Sequence, residues 1–294
     1  MNKKTLLTRC LAVVAMVAAG LATPSAHAIK VYGNGATFGP DNAYSWDVDI
    51  AAGTSTFVRQ YSDVGLQPNG NGRGMVVVGN VMYTTDSGTQ FEGDNHVYMT
   101  DVTTGARLGS FTTTITGTVN LSTLAWDGTQ FWSSQYQGGG NAYRFGLDGV
   151  VTKTIALGTG TSKDGMEWFN GKLIANRGDT VKPYDVYDLD GNLLTSSFIA
   201  GGNSQNTGIA YTGNEFLTVH GFNSLDVWDQ TTGAFIKNIL LMGSFNSIED
   251  ISVDYQARQD TGSGVPDAGS TLALLGGVGL FLFGAARRTS TCQI

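Results

Sequence analysis

The chain is poor in cysteine, proline, histidine and charge, and each shortage excludes something. It has two cysteines in 294 residues, Cys10 and Cys292, one near each end. The long stretch between them therefore holds neither a disulfide framework nor a thiolate metal site, and its fold must rest on packing and strand pairing. After residue 28 only His96 and His220 remain, which excludes a histidine-rich metal centre. Charged residues make up 14% of the chain, against roughly 25% in an average soluble domain. The charge present is mostly of one sign: Ile29 to Gly264 carries 12 basic and 23 acidic residues, a net of −11, with no basic run. Such a body cannot neutralise phosphates, so nucleic acid is not an expected partner.

What the chain has is glycine and apolar residues. Gly occurs 41 times and Pro 5 times, with no Gly-X-Y period. That composition excludes collagen and suits many short strands joined by tight turns, where Gly supplies positive φ without a steric penalty. Hydrophobic residues reach 41%, enough for a substantial core.

The two ends are unlike the middle. Residues 1–28 combine a basic start (Lys3, Lys4, Arg9), an apolar stretch from Leu11 to Leu21 and the small-residue site Ala26-His27-Ala28. This is the pattern of a secretory signal peptide, with cleavage at Ala26 and Ala28. Residues 261–294 form a linker and tail. Val265-Pro266-Asp267, followed by Gly269 and Ser270, opens a motif over 265–271; an apolar stretch runs from Leu272 to Ala286; Arg287 and Arg288 follow it. Fifteen apolar residues are short for a full membrane span, but the arginine pair would stay on the cytoplasmic side. In order and content this tail resembles the PEP-CTERM sorting signals of Gram-negative bacteria, the VPDSG-type variant above all, with Ala268 where that variant has Ser. The resemblance implies recognition by an exosortase, transient anchoring in the inner membrane through the C-terminal helix, and delivery to the surface or extracellular matrix. An ordinary C-terminal anchor is the alternative. In either case the motif residues are a substrate, not a catalyst.

Residues 29–260 repeat. GMVVVGNVMYTT, STLAWDGTQFWSS, DGMEWFNGKLIAN and TGIAYTGNEFLTV align with Met75, Leu124, Met166 and Ile209 in one column, spaced by 49, 42 and 43 residues. Each reads strand, tight turn, strand, with Asn-Gly or Asp-Gly chemistry in several. Two further strands follow in each unit. Four strands every 40–45 residues or so is the sign of a propeller blade. ISVDY (Ile251 to Tyr255) fits the first-strand column, and VYGNGATF, AYSWDVDI and STFVRQYS supply its partners from the other end of the chain. The expectation is an all-β, five-bladed β-propeller closed by strands from both ends, flanked by a signal helix and a short C-terminal apolar helix. The turns Asp101-Val102-Thr103-Thr104-Gly105 and Asp229-Gln230-Thr231-Thr232-Gly233 resemble those of WD-repeat-like and YVTN-like propellers, a likeness of fold only.

Candidate chemistry is sparse. Asp164, Glu167, Glu249 and Asp250 lie near the starts of first strands, which line a propeller channel. Paired carboxylates there would serve an acid–base hydrolase; as strand-end caps they would serve none. Asp188, Asp190 and Asn192 have the opening spacing of a calcium loop, but Ile199 stands where the closing Glu belongs, so a turn is expected. The polar stretch Asp86 to Asn95 reads as a surface loop. Trp126, Trp132, Trp168 and Trp228 recur at strand positions, as blade packing or as a sugar platform. No nucleotide loop, nucleophile elbow or zinc helix is present, and no cofactor is expected. The leading expectation is a non-enzymatic exported propeller binding a polysaccharide or surface protein. Its rival is a secreted glycoside hydrolase or lyase using the channel carboxylates, and a weaker third reading is a matrix filler with no discrete ligand.

Overall fold

The computed structural model describes residues 28–262 except 36–41, 63, 66–71, 87–94, 117–120, 136–139, 159–162, 179–181, 202–206 and 246. The expected signal helix and C-terminal apolar helix fall outside these residues, as does nearly all of the Asp86–Asn95 loop.

Short strands alternate with glycine-marked turns along the described residues. The first three are β1 (Ile29–Gly35), β2 (Asn42–Asp49) and β3 (Thr54–Ser62). Then come β4 (Gly72–Val78), β5 (Val81–Asp86), β6 (His96–Asp101) and β7 (Arg107–Thr112). The next unit is β8 (Ala125–Trp126), β9 (Phe131–Ser134), β10 (Asn141–Phe145) and β11 (Val151–Ala156). It is followed by β12 (Met166–Phe169), β13 (Lys172–Asn176), β14 (Tyr184–Tyr187) and β15 (Leu193–Ile199). The last full unit is β16 (Ile209–Tyr211), β17 (Glu215–His220), β18 (Ser224–Asp229) and β19 (Phe235–Leu240), before β20 (Ile248–Val253) and the helix α1 (Tyr255–Gly262).

These strands form five antiparallel sheets of four. Four sheets are sequential; the fifth has the order β20-β1-β2-β3, with Val31 opposite Val253 and Gly33 opposite Ile251. The first strands β4, β8, β12, β16 and β20 touch in a closed ring. The protein is thus a five-bladed β-propeller whose first blade joins both ends of the described chain, so no blade is left with an open inner edge. The sequence column places the blades well: Met75, Met166, Ile209 and Ile251 lie in the first strands, and Leu124 directly precedes β8.

The core lies between the blades. Trp46, Tyr44 and Val48 of blade one pack on Leu217, Val227 and Ile239 of blade five. The other four junctions repeat this arrangement, with Phe131 and Phe145 against Val76 and Val97, for example. Trp132 is fully buried, Trp228 is 5% exposed, and Trp168 packs at two junctions. The first strands approach very closely at one end. A Cβ on Gly165 would stand 1.9 Å from the Thr207 carbonyl oxygen, and one on Gly208 would stand 2.5 Å from Asp250 Cα. Glycine is required there for close approach.

The two faces differ. Connections from first to second and third to fourth strands span two to five residues. Asn170 and Gly171 turn one of them with φ of 48° and 75°, the conformation an Asn-Gly pair adopts at low cost. The opposite face carries the remaining connections, up to twelve residues long. These are called below the turn face and the loop face. Helix α1, which the sequence reading did not anticipate, leaves β20 at the turn face and seats Tyr255 in the junction of blades two and three.

Candidate functional site

At the loop-face mouth each blade places one polar residue at the same position, at or just before the start of its first strand: Arg73, Ser122, Asp164, Thr207 and Glu249. Arg73 reaches from blade two to both acids. Its Nη1 is 3.3 Å from Asp164 Oδ1 on blade four, and its Nε is 2.9 Å from Glu249 Oε2 on blade one. Lys182 Nζ adds a second cation, 2.6 Å from Asp164 Oδ2. The hydroxyls of Ser122 and Thr207 donate at 2.5 Å to the carbonyls of Lys163 and Glu249. Lys163 is itself fully buried, its ammonium 5.7 Å from the Tyr187 ring centre. Arg73 and Lys182 balance Asp164 and Glu249 in formal charge.

The other two acids stand apart from that cluster. Asp250 turns between blades and accepts the N–H groups of Met75 (2.8 Å) and Ile251 (2.9 Å); burial pushes its carboxyl well above the usual range despite those bonds. Glu167 faces the turn-face mouth beneath α1. Its carboxylate accepts hydrogen bonds from Tyr255 Oη and from the N–H groups of Trp168 (2.6 Å) and Tyr211 (2.9 Å), and pairs with Arg258 Nη2 at 3.0 Å. Burial is the strongest influence and leaves Glu167 above its ordinary value, against the pull of Arg258 and those donors. The structure therefore brings Asp164 and Glu249 together around Arg73, and places Glu167 and Asp250 in different settings. Arg73, Lys182, Tyr255 and Arg258 were not singled out in the sequence. Arg73 had a signal, because it occupies the column of Asp164 and Glu249.

Asp188 spends its carboxylate on its own turn, accepting N–H groups of Asp190 and Asn192 at 2.9 Å each and the Asn192 side-chain amide at 2.8 Å. Asp190 pairs with Lys153 at 2.8 Å. Among the described residues no group of three or more metal-ligating side chains converges. His96 lies beside Thr112 Oγ1 at 3.1 Å.

Two of the open clefts are lined by described residues. The first, about 570 Å³, runs between blades four and five. His220 Nδ1 lies 2.8 Å from Asp226 Oδ2, and Asn238 Nδ2 donates to Asp226 Oδ1 at 2.8 Å. Beside this polar wall stand Trp228 and the 55%-exposed Phe235, edge to face at 5.4 Å. The second cleft, about 380 Å³, lies at the turn face between the start of β1 and α1, lined by Ala28, Ile29, Lys30, Asp254 and Arg258. Of the signal and sorting residues named above, only Ala28 lies within the described residues. Among the described residues no helix is long and apolar enough to cross a membrane.

Residues 264–290 match the family described as VPDSG-CTERM motif. No curated protein matches the chain. Among solved structures the chain is similar to a nidogen/laminin complex, with 11% identity over 77% of this chain and 99% of that one and a TM-score of 0.52. It is also similar to Myxococcus xanthus glutaminyl cyclase, with 13% identity over 73% and 82% and a TM-score of 0.47. Identities this low speak to the fold alone, and the second likeness carries no argument. The chain is a five-bladed β-propeller that carries a VPDSG-CTERM motif, a sorting signal of the PEP-CTERM type, at residues 264–290.

Proposed function

We propose that the protein is exported through its signal peptide, held in the inner membrane by its tail, and handed by an exosortase to the cell surface or matrix, where the propeller binds a polysaccharide without acting on it. The sorting match over residues 264–290 is the observation that carries the export half of this reading. The binding half is supported by the cleft between blades four and five. A flat exposed ring beside a wall of His220, Asp226 and Asn238 suits a neutral sugar, which offers an apolar face and a rim of hydroxyls. A channel hydrolase is the second reading, favoured by Asp164 and Glu249 meeting at Arg73. Against it stand the two cations that pair those acids.

Deleting Val265 to Ile294 releases the protein into the medium; a truncated chain that stays cell-bound as before refutes the sorting role. The released protein binds host exopolysaccharide, and Phe235→Ala weakens binding about tenfold, equivalent to about 1.4 kcal/mol. Loss of polysaccharide chain length on incubation, abolished by Glu249→Gln, would establish the hydrolase instead.

A further inference from the structure

We propose that while its tail is in the bilayer the propeller rests with its turn face toward the lipid surface and holds its loop face outward. The proposal rests on the sorting reading of the tail and goes beyond it, because it assigns a direction to the domain.

The argument begins with where the described chain starts and stops. β1 runs antiparallel to β20 with Val31 opposite Val253, so Ile29 lies past the carboxyl end of β20. That end is also where α1 begins, and Ala28, Ile29, Asp254 and Arg258 line one cleft there. The helix is fastened at the channel mouth by Tyr255 and Arg258 to Glu167. Helix α1 is therefore fastened near the propeller axis, on the turn face, and the tail continues from its end.

The length of the tether then decides the pose. Gly262 ends α1 and Leu272 opens the apolar stretch. The ten steps of chain from Gly262 to Leu272 cover about 35 Å at most. A blade of four strands set about 4.8 Å apart places the rim roughly 20 Å from the axis, and six-residue strands make the disc about 20 Å deep. To lay the loop face on the bilayer the tether would have to cross to the rim and descend the side, about 40 Å, which exceeds its full extension. An edge-on pose needs about 20 Å of lateral reach, more than half of the tether's full extension. The turn-face pose needs none. The loop face, with the Arg73–Asp164–Glu249 cluster at its mouth, is thus the side free to meet partners.

The residues between the leader and the tail contain no cysteine, so single cysteines report position cleanly on a Cys292→Ser background. Asn80 is exposed in the β4–β5 turn and Asn223 in the β17–β18 loop. The full chain would be expressed in cells lacking exosortase activity and converted to spheroplasts. Asn80→Cys and Asn223→Cys would then be reacted with a bulky, membrane-impermeant maleimide. In sedimenting membranes Asn80→Cys reacts at least fivefold more slowly than Asn223→Cys, and detergent extraction brings the two rates together. Equal rates in membranes, or slower reaction at Asn223→Cys, overturn the orientation and leave the sorting reading intact. A chain that does not sediment with membranes overturns both.

Discussion

Truncating Arg258 to alanine is the sharpest test of what holds α1 on the channel. The Arg258 side chain is 7% exposed and that of Glu167 is 2% exposed; Nη2 pairs with Glu167 Oε1 at 3.0 Å. Nη1 donates to the Tyr211 carbonyl at 2.9 Å, and the guanidinium carbon sits 3.2 Å from the Tyr255 ring centre. Arg258→Ala strips Glu167 of its cation. Leaving that carboxylate buried would cost about 3–5 kcal/mol. A cheaper route exists. An eight-residue helix has little stability of its own, so it can undock and let water reach Glu167. That route sacrifices the burial of Tyr255, about 2–3 kcal/mol for an aromatic of this size. The variant takes the cheaper path, so the expected loss is about 2–3 kcal/mol in urea unfolding, with early hydrogen exchange in α1. Glu167→Gln removes the charge that needs a partner. The double variant Arg258→Ala/Glu167→Gln therefore loses less than the two single losses combined, by at least about 1 kcal/mol. Additivity within about 0.5 kcal/mol would refute the latch.

Two further outcomes follow from the packing and the titrating groups. Gly165→Ala costs about 3 kcal/mol, because its Cβ meets backbone of the next blade at 1.9 Å and the ring cannot open locally; Gly171→Ala, with nothing within 4 Å but φ at +75°, costs about 1–2 kcal/mol. Urea midpoints in the reverse order would refute the close-approach account. Stability peaks at mildly acidic pH. Asp250 and Glu167 have folded values above their ordinary 3.8 and 4.5, so stability falls as pH rises through and above that range. Turn hydrogen bonds hold Asp101, Asp188 and Asp229 below 3.8, so their contribution is present above that pH and lost as pH falls toward their folded values. Thermal midpoints that climb steadily from pH 4 to 8 would refute this.

The blades were legible because each carries the same local chemistry: an apolar pair two residues apart, a turn at Asn170-Gly171 or its counterparts, then a second alternating run. Such signals need no knowledge of distant contacts. Even the shared blade could be read, since ISVDY fits the column and lacks partners of its own. Helix α1 could not, because its residues are mostly polar and its order comes from two side chains, Tyr255 and Arg258, gripping a residue about ninety positions away. One local clue was present: Asp254 accepts the N–H of Gln256 at 2.9 Å, as a helix-capping aspartate does. The acids were found by column, but their partners were not. Arg73 meets Asp164 only because blades two and four converge on one axis, and no sequence period encodes which side chain crosses it. The cleft at Phe235 likewise depends on how blade five leans on Ala200 and Gly201 of the neighbouring connection.

The shared blade also sets a schedule. Asp250 donates its N–H to Asn34 Oδ1 across 216 positions of chain. In a chain delivered amino end first, β1 to β3 wait with an unsatisfied strand edge until almost everything else has emerged. Contacts this distant in sequence form slowly, and an open edge in the interval invites pairing with other chains. The closing strand is followed within twenty residues by the apolar stretch that would stop in the bilayer. On the proposed export route, completion of the ring and arrest of translocation would thus fall at nearly the same moment, so that a molecule still missing its last strand would also be one not yet tethered.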